Sequence, residues 1–176
     1  FHKLSDRHIL VVETDMPYSD VLKVVILSDK IRKAGNELVS FMRKNYDQLI
    51  RTKKYRKLLK LYGSTKDKKK RKDLADQLNE MQKAYNVTWD YCRKSMIPIG
   101  KKYGIDAVFA LTKAEDVWRG IEKCLYGNGK AIHFSKYGEL PCIRAKQINR
   151  GIPISVKDDR LQFKLGKTAF GIQVND

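Results

Sequence analysis

Apolar residues recur with two different periods along the chain, and the change of period divides it. Residues 8–12, HILVV, form a short β-branched run that Met16-Pro17 ends, the pattern of a strand followed by a break. Over residues 19–49 the period becomes helical. Leu27, Ile31, Ala34, Leu38, Phe41 and Leu49 share one face, while Lys30, Arg32, Lys33, Arg43 and Lys44 take the others, which predicts one long amphipathic helix. Leu74, Leu78, Met81 and Tyr85 predict a second, and STKD at 64–67 resembles a capping box ahead of it. A third helix starts near Thr88, its later part disturbed by Pro98 and Gly100. TKAE at 112–115 matches a capping box directly, and Val117, Ile121 and Leu125 line a helix that Gly127 ends.

From Lys130 the period falls to two. KAIHF, GIPISV, RLQFKL and TAFGIQV read as antiparallel strands separated by the turns KYGE, KDD and GK, and Ile152, Ile154, Val156, Leu161, Phe163 and Leu165 alternate with polar neighbours. A lone first strand is not stable, so it needs partners from this later region. The expected fold class is therefore α+β: a small antiparallel oligonucleotide-binding-type β-barrel interrupted after its first strand by a helical bundle. Residues 1–16 supply the first strand, 17–128 the inserted helical lobe, and 129–176 the remaining strands.

Charge adds a partner to this outline. Lysine and arginine number 37 against 20 acids, a net charge of +17 that repels itself unless a polyanion neutralises it, so a nucleic acid is the expected ligand. No apolar run approaches the roughly 18 residues of a membrane span, and no membrane partner is expected. Cys92, Cys124 and Cys142 are odd in number and far apart, neither a disulfide framework nor a Cys-x-x-Cys site, and read as thiols of a reducing compartment. The chain opens on Phe1 without an apolar leader, as expected for a cytoplasmic piece of something longer.

The charge is densest at residues 51–72, with twelve cations and the single acid Asp67. Arg51, Lys53, Lys54, Arg56, Lys57, Lys60, Lys68, Lys69, Lys70, Arg71 and Lys72 are candidate phosphate contacts, and a solvated helix face is the plainer alternative. Tyr55 and Tyr62 lie among them and could stack on bases or pack on Leu58 and Leu59. Lys136, Arg144, Lys146 and Arg150, with Tyr137 between them, form a second cluster. It suits RNA held on a barrel face, or an edge strand charged against aggregation.

Signs of catalysis are few. His2, His8 and His133 are isolated, no phosphate-binding loop, nucleophile elbow or His-Glu-x-x-His helix occurs, and Asp158-Asp159 sits where a hairpin turn wants aspartate. Asp73, Asp76 and Glu80 stand beside lysines on an amphipathic helix, and Trp89 and Trp118 read as packing. No catalytic residue, metal ligand or cofactor is assigned.

The order of elements and the segment HFSKYGELPCIRAKQINRGI resemble the amino-terminal half of the transposon-encoded RNA-guided nucleases called TnpB and their compact type V CRISPR effector relatives. His133, Phe134, Lys136, Tyr137 and Gly138, then Lys146 and Gly151-Ile152, stand in the order of that family's short motif. The resemblance spans most of the chain. It implies a wedge-like barrel and a recognition lobe that hold a guide RNA, read a short motif beside the DNA target, and cradle the guide–target heteroduplex by shape. In that family cutting belongs to a later RuvC-like domain using Mg2+, often with a Zn2+ ribbon, and neither is visible in these residues. The implied partners are guide RNA and target double-stranded DNA, in a prokaryotic cytosol near the nucleoid. The alternative is a stand-alone structural RNA-binding protein such as a ribosomal component. A self-sufficient hydrolase and a basic membrane-surface or coiled-coil adaptor fit the pattern less well.

Overall fold

The computed structural model describes residues 14–127, 129–139, 141, 143–144, 152–157, 160–166 and 168–174. The expected strand at 8–12, His2, His8, Cys142, Lys146, Arg150 and Asp158-Asp159 lie outside them.

The longest apolar stripe sets the frame. Helix α1 (Tyr18–Arg51) buries Ile31, Ala34, Leu38, Val39, Met42 and Leu49 along one side. Two helices meet that side: α4 (Trp89–Tyr103), through Cys92, Met96 and Ile99, and α5 (Ala107–Tyr126), through Phe109, Ala114, Val117 and Ile121. Each large aliphatic side chain so buried stabilises the bundle by about 1.5–3 kcal/mol. Phe41, placed on the stripe by its spacing, is 51 % exposed; Met42 takes the inward position instead.

The interruptions expected in α4 do not break it. Pro98 and Gly100 both lie inside the helix, and a Cβ at Gly100 would come within 3.0 Å of the Ala110 Cβ, so the glycine lets α4 and α5 approach. The helix ends at Gly104, whose φ of +63° favours glycine.

Between α1 and α4 the chain makes a helical hairpin, α2 (Lys53–Ser64) against α3 (Lys68–Ala84). STKD does not form the expected box. Ser64 and Thr65 donate back to the Leu61 carbonyl at the end of α2, and Asp67 caps α3 by accepting the Lys70 N–H at 3.0 Å. TKAE is likewise internal: α5 starts five residues earlier under Asp106, and Thr112 donates to the Val108 carbonyl. Helix α4 starts where expected, near Thr88, whose hydroxyl caps it by accepting the Tyr91 N–H.

Strands β2 (Ile154–Lys157), β3 (Arg160–Leu165) and β4 (Thr168–Val174) form an antiparallel meander, joined through β4 by β1 (Thr14–Asp15). The order β1-β4-β3-β2 gives β1 and β2 one partner each, so the sheet is open. This corrects the expected α+β barrel: the described residues are mostly helical, and no barrel closes among them. Phe163 and Phe170 face each other across β3 and β4 with stacked rings 5.0 Å apart, and Leu165 and Phe170 are buried in the same core as the helices. KAIHF forms no strand. Just past it, the Asn36 side chain on α1 takes both the N–H and the carbonyl of Ser135, tying the chain to the bundle.

Candidate nucleic-acid interface

The α2–α3 hairpin is anchored from within by polar contacts as well as apolar ones. Tyr55, 2 % exposed, accepts a hydrogen bond from Gln82 Nε2 at 3.3 Å, and Gln82 Oε1 accepts from the Tyr126 hydroxyl at 2.7 Å. Thr52 donates to the Tyr85 hydroxyl. Burial pushes the Tyr55 phenol above its ordinary value, only partly offset by the Gln82 contact. Tyr55 is thus a core residue of the hairpin, and its assignment as a base-stacking residue is corrected. Its neighbour Tyr62 is half-buried with the Arg71 guanidinium 4.7 Å from its ring centre.

With Tyr55 and Leu58 turned inward, helical geometry sends Lys53, Arg56, Lys57 and Lys60 to the opposite face of α2. On α3 the stripe of Leu74, Leu78 and Met81 does the same for Lys68, Lys69 and Lys72. All twelve cations at residues 51–72 are exposed, and none of them makes an ion pair among the described residues. Helix α2 contains no acid, and Asp67 is occupied by capping. Ammonium and guanidinium groups at this density, unpaired and wet, create a positive potential that a phosphate backbone relieves.

The described members of the second expected cluster are not on the sheet. Lys136 and Tyr137 belong to a turn that lies beside α1, and Arg144 pairs with Asp116 of α5. No β-strand carries any of the three. The turn is tied within itself. Lys136 N–H donates to Glu139 Oε2 at 2.9 Å, Glu139 N–H returns to the Lys136 carbonyl, and Gly138 holds φ +83°. Two aromatics stand here: Phe134, 45 % exposed, and Tyr137, 90 % exposed. Arginines of α1 approach both, Arg43 at 6.0 Å from the Phe134 ring centre and Arg32 at 5.5 Å from that of Tyr137.

Sequence reasoning picked out Lys136 and Tyr137 but missed Phe134, Arg32, Arg43 and Asn36. The spacing of two aromatics three residues apart around a Lys was visible; the α1 partners needed the tertiary fold. Where α1 and α5 meet, burial lowers the Lys113 ammonium below its ordinary value, its stem lying over Gly35. Burial also pushes the Cys92 thiol up to about 12, which keeps it protonated and unreactive. Among the described residues no three His, Cys, Asp or Glu side chains gather as a metal site, and no helix is long and apolar enough to cross a membrane. No protein-family model, curated protein or solved structure matches the chain.

Proposed function

We propose that the chain is the guide-RNA and target-DNA binding portion of an RNA-guided DNA-targeting effector of the TnpB kind, with the α2–α3 hairpin as its main grip on phosphate backbones. One observation carries the nucleic-acid reading: twelve exposed cations at residues 51–72 without an ion pair among the described residues, beside a bundle many of whose cations are paired. A solvated helix needs no such concentration, and unpaired like charges this close cost stability unless a polyanion arrives. The narrower identity rests on the segment from His133 to Ile152 and its likeness to the family's motif. Reading a target-adjacent motif and cradling the heteroduplex belong to the same proposal.

The test uses a stem–loop RNA with a single-stranded extension and a DNA duplex matching that extension. The chain is expected to bind the RNA and, once loaded, to retain matched DNA over scrambled DNA. Replacing Lys68, Lys69, Lys70 and Lys72 together by Ala should weaken RNA binding about tenfold or more at moderate salt. RNA binding without any preference for matched DNA would favour a ribosomal-type structural protein. Absence of RNA binding would end the proposal.

A further inference from the structure

We infer that Phe134 and Tyr137 form a stacking platform for unpaired nucleobases, separate from the backbone grip of the hairpin. The inference rests on the proposed nucleic-acid function and adds to it a chemical class: single-stranded segments with exposed base faces.

Three features point there. The first is exposure: Tyr137 is 90 % exposed and Phe134 45 % exposed, while Ile132 of the same segment is buried and anchors it. The second is rigidity. Asn36 clamps Ser135 through two hydrogen bonds of 2.9 Å, Ser28 donates to the Pro141 carbonyl at 2.9 Å, and the turn closes through Lys136, Gly138 and Glu139. An aromatic presented on a fixed turn loses little freedom when a base stacks on it. The third is charge. Arg43, about half exposed, sits at the Phe134 ring, while Arg32, buried and bonded to Asp29 Oδ1 at 3.0 and 2.7 Å, backs the Tyr137 ring. Lys136 stands exposed between the two aromatics. Rings beside exposed cations suit a base on the ring and its phosphate on Lys136 or Arg43. The carboxylates bonded to these groups are already engaged: Asp29 by Arg32 and Lys33, and Glu139 by the Lys136 N–H. Asp47 stands off from Arg43 at 3.9 Å.

The experiment compares two short single strands of equal length and charge on the full chain by fluorescence anisotropy: oligouridine, and a strand of abasic sites. The wild type is expected to favour the base-bearing strand by about fivefold or more per ring engaged. The double variant Phe134→Ala, Tyr137→Ala should bind the abasic strand as before and lose the preference, and Tyr137→Trp should keep it. Equal binding of both strands by the wild type, or a preference surviving in the double variant, overturns the platform while leaving the backbone grip standing. Failure of the wild type to bind either strand overturns both.

Discussion

On α1 and α4 many of the cations find carboxylates about one helical turn away: Lys23 on Asp20, Arg32 and Lys33 on Asp29, Arg93 and Lys94 on Asp90. Lys102 reaches across from α4 to Glu37 of α1 at 2.7 Å. Helix α2 holds no acid to pair with, and on α3 Asp73 and Asp76 stand one turn from Lys69, Lys70 and Lys72, yet among the described residues no pair closes before Lys83 meets Glu80 near the end of α3. Helix geometry is common to both regions; they differ in the ratio of acids to cations, which falls to none in α2. A net charge of +17 therefore says that a polyanion is wanted, and only the pairing says where.

Removing a core side chain of the bundle should have the largest effect. Met42→Ala empties a fully buried position between helices and is expected to cost about 2–5 kcal/mol in chemical denaturation, with the salt dependence of RNA binding unchanged in the protein that remains folded. In the hairpin, Tyr55→Phe keeps the ring but leaves Gln82 Nε2 without its acceptor. It should cost about 1–3 kcal/mol of stability and leave RNA affinity within error, as befits a tyrosine that packs rather than stacks. Asp67→Ala removes the α3 cap, for about 1 kcal/mol, and takes away the sole acid of residues 51–72, so RNA should bind slightly tighter while the fold weakens.

The smallest effect separates the regions by pH. The Lys102 and Tyr103 hydrogen bonds hold the Glu37 carboxyl below its ordinary 4.5. Lys33 and then Arg32 do the same for Asp29, and Lys94 and then Arg93 for Asp90, each from 3.8. A carboxylate lowered in the folded state binds fewer protons there than when unfolded. Its contribution is whole above the ordinary value and is lost as pH falls toward the lowered one. Thermal unfolding followed down to about pH 3 should show the bundle weakening on acidification, with Glu37→Gln flattening that limb.

The parts of the molecule set by local chemistry were legible in the sequence. The stripe of α1, the start of α4 near Thr88 and the strands over 154–174 follow from spacing and turn residues alone. What could not be read depends on partners far along the chain. KAIHF alternates like a strand, yet Ile132 packs into the helical core and Asn36, about a hundred residues earlier, ties the following Ser135 to α1. STKD and TKAE carry the capping letters, but Asp67 and Asp106 hold the helix starts because the helices begin elsewhere. Barrel closure needs both edge strands to meet, and no local pattern encodes that meeting. For the interface, the cation density at 51–72 was visible while the inward turn of Tyr55 was not, since its spacing serves packing and stacking equally.

The salt dependence of RNA affinity is the sharpest test of the claim that unpaired hairpin cations meet phosphates. Two four-site alanine variants are compared with the wild type, one at Lys53, Lys57, Lys68 and Lys72, the other at the paired Lys23, Lys33, Lys94 and Lys102. The hairpin variant should lower the slope of log affinity against log salt by about 3, at roughly 0.7–0.9 per phosphate no longer neutralised, and the paired set should leave it almost unchanged. Equal reductions of slope in the two variants, or none in the first, would contradict the account.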